Sequence, residues 1–190
     1  MPNQNQPAIV VAPTVLLVPT KAKHLKSLTH AEHVSVFGSF DFTPSPQPGN
    51  PEHVTIDPVW LRKNIITIVV PQLHGRKVQC NKIVVDDLLA LYRAWDDAGL
   101  VNRILRFNGG FSPRYKRGRD GGAENLSNHA HGSAIDQNAP WNRLGAVPAP
   151  LGTKGSLVEL VPIAEEVGWA WGGWWNTPDG MHFDWAKRRK

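Results

Sequence analysis

The stretch Ser127-Asn-His-Ala-His-Gly-Ser-Ala-Ile-Asp136 puts two imidazoles and a carboxylate into one short run. Hydrolytic zinc takes three protein ligands of these kinds and keeps a fourth position for water. On a strand, His129 and His131 at i and i+2 would point the same way, so both could reach one metal. A further imidazole stands near the C-terminus in Asp179-Gly-Met-His182-Phe-Asp-Trp. A carboxylate such as Asp179 can take a proton from metal-bound water and hand it to a leaving amine. Ser127, His129 and Asp136 also contain the letters of a serine-hydrolase triad. No Gly-x-Ser-x-Gly elbow surrounds the serine, however, and the three residues are crowded together, unlike dispersed triads.

The run fits the template Ser-x-His-x-x-Gly-x-Ala-x-Asp. With a background frequency of about one in twenty for each fixed residue, a chance match in a chain of this length is roughly one in ten thousand. The template resembles the metal-binding signature of the zinc D-Ala-D-Ala carboxypeptidases, VanX-type dipeptidases and phage L-alanyl-D-glutamate endopeptidases. Gly168-Trp-Ala-Trp-Gly-Gly-Trp-Trp followed by Asp179-Gly-Met-His182 is similar to the family's Trp-Gly-Gly stretch and its acid-x-x-His. Asn108-Gly-Gly-Phe-Ser-Pro-Arg114 resembles, more loosely, its glycine-rich turn ending in arginine. The resemblance runs from about residue 34 to 186, tightly over 108–138 and 167–185.

The resemblance implies that His129, Asp136 and His182 hold zinc, that Asp179 is the catalytic base, and that Arg114 contacts the reacting carbonyl, with Arg117 or Arg119 as substitutes. The template register selects His129 over His131. His131 stands where the family often has an aromatic residue and is expected to be a wall or outer-shell group of the site. Ser127 is expected to fix the loop or a ligand by a hydrogen bond. Of Trp169, Trp171, Trp174 and Trp175, at least half should be core, with Trp174 assigned to the substrate cleft. Asp184 is expected to make a structural hydrogen bond, and His24, His30, His33, His53 and His74 carry no assigned function.

The implied fold is α+β: a small antiparallel sheet carrying the zinc ligands and flanked by helices, as in the hedgehog/DD-peptidase group. Local patterns fit this loosely. Val84, Leu88, Leu91, Tyr92 and Trp95 recur at helical spacing, predicting a helix from about Lys82 to Ala98 stopped by Gly99. Ser156 and Glu159 make a Ser-x-x-Glu cap for a second helix ending at Gly168, with a kink or restart at Pro162. Val34–Phe40, Ile65–Val70 and Ile104–Phe107 read as strands, and Gly109–Asn125 as a surface loop.

A length of 190 residues suits one domain, expected over residues 34–190 behind an extended arm at 1–33. A formal charge of +5 favours polyanions without choosing among nucleic acid, anionic lipid and wall polymer. Cys80 is the sole cysteine, which rules out an intramolecular disulfide and a multi-cysteine zinc site. The N-terminus lacks the cationic region of a secretory signal, and the apolar run Ala8–Val18 is short and broken by Pro13. Synthesis in the cytoplasm, no membrane span, delivery to the wall by other means, and a monomeric state are therefore expected.

These readings converge on a zinc peptidase of peptidoglycan stem peptides, of endolysin type, cutting between L-Ala and D-Glu. The preference for internal cleavage rests on Asp179, because the endolysin branch often has Asp where carboxypeptidases use Glu. The alternative within the family is a D-Ala-D-Ala carboxypeptidase. The alternative of another class is a basic metal-dependent nuclease or nucleic-acid-binding protein; no nucleic-acid module is recognisable, and no nucleic-acid partner is expected.

Overall fold

A computed structural model describes residues 24–187. In chain order these form α1 (His30–Phe37), β1 (Phe42–Pro44), β2 (Val54–Ile56), α2 (Pro58–Asn64), β3 (Ile65–Val70) and β4 (Arg76–Asn81). Then come α3 (Val85–Asp97), β5 (Phe107–Gly109), β6 (Ala134–Gln137), α4 (Val161–Glu166), β7 (Trp169–Trp171) and β8 (His182–Trp185). The fold is α+β, and every strand pair is antiparallel. β1 pairs with β2 and β3 with β4, while the site-bearing sheet has the order β5-β6-β8-β7.

The helix predicted around Val84–Trp95 is α3, preceded by a 3-10 turn over Lys82–Val84. Gly99 follows it with φ +70°, and its N–H donates to the Asp96 carbonyl at 2.8 Å. Leu88, Leu91, Tyr92 and Trp95 are fully buried along one stripe. That stripe backs the four-stranded sheet: Trp95 packs edge-on against Phe183, and the Tyr92 hydroxyl donates to Gln137 Oε1 at 3.2 Å. Trp95 Nε1–H also donates to the Leu160 carbonyl at 3.0 Å, tying α3 to the segment ahead of α4. Replacing Trp95 by alanine would cost about 3–5 kcal/mol by the usual measure of large core deletions.

The pleat then determines what faces away from α3. Along β6 and β8, Gln137 and Phe183 point to α3, so the alternate residues Asp136, His182 and Asp184 share the other face. Asp136 and His182 are direct cross-strand partners.

Several local expectations are corrected. Val34–Phe40 is not a strand; His30–Phe37 is helical, because Thr29 accepts from the Glu32 N–H while the Glu32 carboxylate accepts from the Thr29 N–H, a reciprocal capping box. The boundary drawn at residue 33 therefore falls inside a helix, and residues 24–33 are not an extended arm: Leu28 and His33 are buried. Residues 1–23 of that arm lie outside the described residues.

Ser156 and Glu159 do not form the expected box. Glu159 turns to Arg103, 2.6 Å away, and α4 restarts at Val161 with Pro162 in its first turn, where the missing N–H costs nothing. The strand expected at Ile104–Phe107 lies slightly later, at Phe107–Gly109. No helix among the described residues is long and apolar enough to cross a membrane.

Candidate metal centre

His129 sits in a 3-10 turn, Asn128–His131, that leads into β6. Ser127 caps this turn, its Oγ accepting from the His129 N–H at 3.4 Å. Gly132 closes it with φ +69°, and a Cβ there would lie 2.6 Å from the Asn81 backbone nitrogen. Only glycine lets the turn rest on β4, where the Asn81 N–H donates to the Gly132 carbonyl at 2.9 Å. The template's serine and glycine thus shape the turn that delivers the histidine.

Three ligand atoms converge from this turn, β6 and β8. His129 Nε2 lies 3.1 Å from His182 Nδ1, and each of them is 3.2 Å from Asp136 Oδ1. Tetrahedral zinc with bonds of about 2.0–2.1 Å spaces its ligand atoms about 3.3 Å apart, so this near-equilateral triangle fits three corners of such a site. The donor set fits as well. His129 Nδ1 is 2.7 Å from the Gly110 carbonyl, to which it can only donate, so the lone pair of Nε2 faces the triangle. These three residues form the one group among the described residues with a metal-ready arrangement of His, Cys, Asp or Glu.

The electrostatics agree with a cation-seeking group. Burial alone would raise the Asp136 pKa, but His129 and His182 overcome it and hold the carboxyl well below its ordinary range. Burial would lower the His182 pKa, yet the Asp136 carboxylate beside it produces a net rise.

Asp179 lies on the turn into β8. Its N–H donates to the Gly172 carbonyl at 3.0 Å, and its own carbonyl accepts from the His182 N–H at 3.1 Å. Gly172 makes this closure possible: a Cβ there would stand 2.7 Å from the Asp179 carbonyl oxygen and 3.2 Å from His182 Cβ. Asp179 is 8 % exposed, and Oδ1 is buried without a hydrogen-bond partner. Burial pushes its pKa up, reinforced by Asp136 and opposed by His182 and Arg114. A buried carboxyl with an unsatisfied oxygen and a raised pKa is suited to exchanging protons.

Arg114 lines the same cleft as Asp136, Asp179 and His182, a cavity of about 710 Å³. It is half-buried, and burial lowers its pKa while Asp136 and Asp179 act in the opposite sense. Arg117 also lines the cleft but is held by Glu52 at 2.5 Å, and Arg119 lines a different cavity.

Two sequence assignments are corrected. His131, expected as a wall or outer-shell group, does not line the cleft: the 3-10 turn sends it the other way, into a ring cluster with His33 at 4.8 Å and Phe40 at 5.1 Å. Burial there pushes its pKa down to about 3. Trp174 does not line the cleft either; it stacks on His24 at 3.9 Å, and the cleft-lining tryptophan is Trp175, 5.0 Å from the His182 ring. Side chains in a Gly-Gly-Trp-Trp run change direction too abruptly for residue spacing to reveal this. Asp184 is fully buried and accepts from Asn128 Nδ2 and from Ser27 Oγ, the structural role expected of it. Sequence reading missed the Gly110 carbonyl and the contribution of Ser27 and Leu28 to the cleft wall.

A buried His-Asp-His triangle beside an unpaired carboxyl is a class of site on which metal-dependent hydrolases are built. Residues 121–185 match the model of a peptidase family described as D-alanyl-D-alanine carboxypeptidase, so the family resemblance read from the sequence is shown over this segment. The matched segment contains His129, Asp136, Asp179 and His182. No curated protein and no solved structure matches the chain.

Proposed function

We propose that this protein is a zinc-dependent peptidase that hydrolyses the stem peptides of bacterial peptidoglycan, with His129, Asp136 and His182 as the ligands. The observation that carries this reading is the 3.1–3.2 Å triangle of ligand atoms with the unpaired Asp179 carboxyl beside it. Zinc held there would acidify a water molecule and polarise the scissile carbonyl. Asp179 takes the proton of the attacking water and returns it to the leaving amine, a task for which its burial-raised pKa suits it. Arg114 donates to the developing oxyanion from the cleft wall. Trp175 and Leu144 supply apolar surface to the substrate.

The bond favoured is the internal one between L-Ala and D-Glu, as in endolysins, and the protein acts on the cell wall. Removal of terminal D-Ala is the second reading, favoured by the description of the matching family. Digestion of purified muropeptides followed by mass spectrometry separates the two. Internal cleavage releases a stem beginning with D-Glu and leaves L-Ala on the sugar; free D-Ala with that bond intact selects the carboxypeptidase. Degradation of plasmid DNA but not of peptidoglycan, abolished by a chelator, would instead select the nuclease alternative.

A further inference from the structure

The cleft around the metal group has two unlike rims, set by the sheet order. β5 and β7 are the outer strands, with β6 and β8 between them. The segment after β5 brings Arg114, Lys116 and Arg117 to the cleft, whereas Leu144, Trp175 and Met181 line it from the region of the β7–β8 connection, joined there by the 2.7 Å bond from the Gly145 N–H to the Pro178 carbonyl. One rim is cationic and the other apolar.

The three cations are not equivalent. Arg117 is neutralised by Glu52, which the Gly118 N–H also holds at 3.1 Å. Arg114 faces the charges of Asp136 and Asp179. Lys116 donates to the Glu124 backbone carbonyl at 2.9 Å, an uncharged acceptor, and among the described residues no carboxylate lies within ion-pair distance of its ammonium. The Glu124 carboxylate acts on it only from beyond ion-pair distance. With Arg117 paired to Glu52 and Arg114 under the field of the metal-site carboxylates, Lys116 is the rim cation left for a substrate charge, and a divalent metal in the site would add to the positive field.

We propose that Lys116 is a specificity-determining residue that binds a free carboxylate on the substrate residue supplying the scissile nitrogen. This rests on the peptidase reading and deepens it. The acidic residue lies along the 114–117 rim and the neutral acyl part lies against Trp175 and Leu144. A stem cut before D-Glu meets this requirement: when that residue is linked onward through its γ-carboxyl, its α-carboxylate stands free next to the cleaved amide.

The test uses two synthetic peptides, acyl-L-Ala-γ-D-Glu-L-Lys with a free α-carboxylate and the same peptide with an α-carboxamide. Their affinities for the zinc-loaded full chain carrying Asp179→Asn are measured by tryptophan fluorescence at low ionic strength. The free acid is expected to bind roughly fivefold more tightly, the scale of an accessible charge pair, and the difference should shrink with salt. Adding Lys116→Ala should abolish the difference and Lys116→Glu should reverse it. Arg62→Ala, an equal charge change on α2 away from the cleft lining, should preserve it. Equal affinity for both peptides, or a difference that survives Lys116→Ala, overturns the proposal. Hydrolysis by the unmodified chain is scored separately: no cleavage of either peptide, with the Lys116-dependent preference intact, counts against the peptidase reading and supports the subsite.

Discussion

The imidazole Nδ1 of His129 lies 2.7 Å from the carbonyl oxygen of Gly110. A carbonyl accepts only, so the ring is held as the tautomer with its free lone pair on Nε2, the atom that faces His182 and Asp136. His131 has no such alignment, because its ring belongs to the His33–Phe40 cluster. One zinc per chain is therefore expected by elemental analysis, lost on His129→Ala or His182→Ala and retained on His131→Ala. A site emptied by His131→Ala but not by His129→Ala would reverse this ligand assignment.

Asp179→Asn should keep both metal and fold while losing about 10²–10⁴ of turnover, the usual contribution of a positioned acid–base group. The amide fills the same space beside Gly172 but cannot take a proton. Steady-state kinetics on muropeptides, with zinc content measured on the same sample, checks it. Near-normal turnover would remove Asp179 from the chemistry.

Arg114→Lys should impair turnover more than Arg117→Ala. A compact ammonium cannot reproduce the planar donor fork of a guanidinium, whereas Arg117 is already engaged with Glu52. The comparison is of kcat for the two variants at equal zinc content. The larger loss from Arg117→Ala would move the arginine assignment.

Gly172→Ala should damage the site more than the fold. Its methyl group would lie 2.7 Å from the Asp179 carbonyl oxygen, so the turn bearing Asp179 and leading to His182 must shift. The core contacts of α3 lie on the opposite face of the sheet. Expected are a loss of zinc affinity and activity with destabilisation of about 1–3 kcal/mol, the range for overpacking, measured by zinc titration and urea unfolding. Unchanged zinc affinity would show that the close approach is dispensable.

His33 predicts a pH effect. Burial lowers its pKa, as do Lys116 and His30, against opposing contributions from the Thr29 carbonyl and Glu32. A histidine whose pKa is lowered on folding takes up its proton at lower pH in the folded chain than in the unfolded one, where it protonates near pH 6.5, so the unfolded chain binds more protons and stability falls as pH drops below about 6.5. Relative to His33→Gln, the metal-free protein should lose at most about 1.4 kcal/mol of stability per pH unit as pH falls below that value. Urea denaturation of both proteins at pH 7.5 and pH 5.5 measures this; parallel behaviour would show that His33 does not titrate on unfolding.

By itself the sequence determined the donor types, their order and the helical stripe of α3. These survive because each depends on local information: ligand chemistry resides in single side chains, and a 3.6-residue apolar period needs only one face to bury. The same locality misled at α1, where Val34–Phe40 read as a strand but the Thr29–Glu32 capping box makes His30–Phe37 helical. Only the tertiary structure decided where His131 turns, which tryptophan reaches the cleft, and that Arg117 rather than Lys116 is held in an ion pair. Those outcomes depend on a 3-10 turn resting on β4, on the pleat that pairs Asp136 with His182, and on Glu52, sixty-five residues before Arg117, arriving to neutralise it. Contacts between distant segments set them, and spacing along the chain carries no record of such contacts.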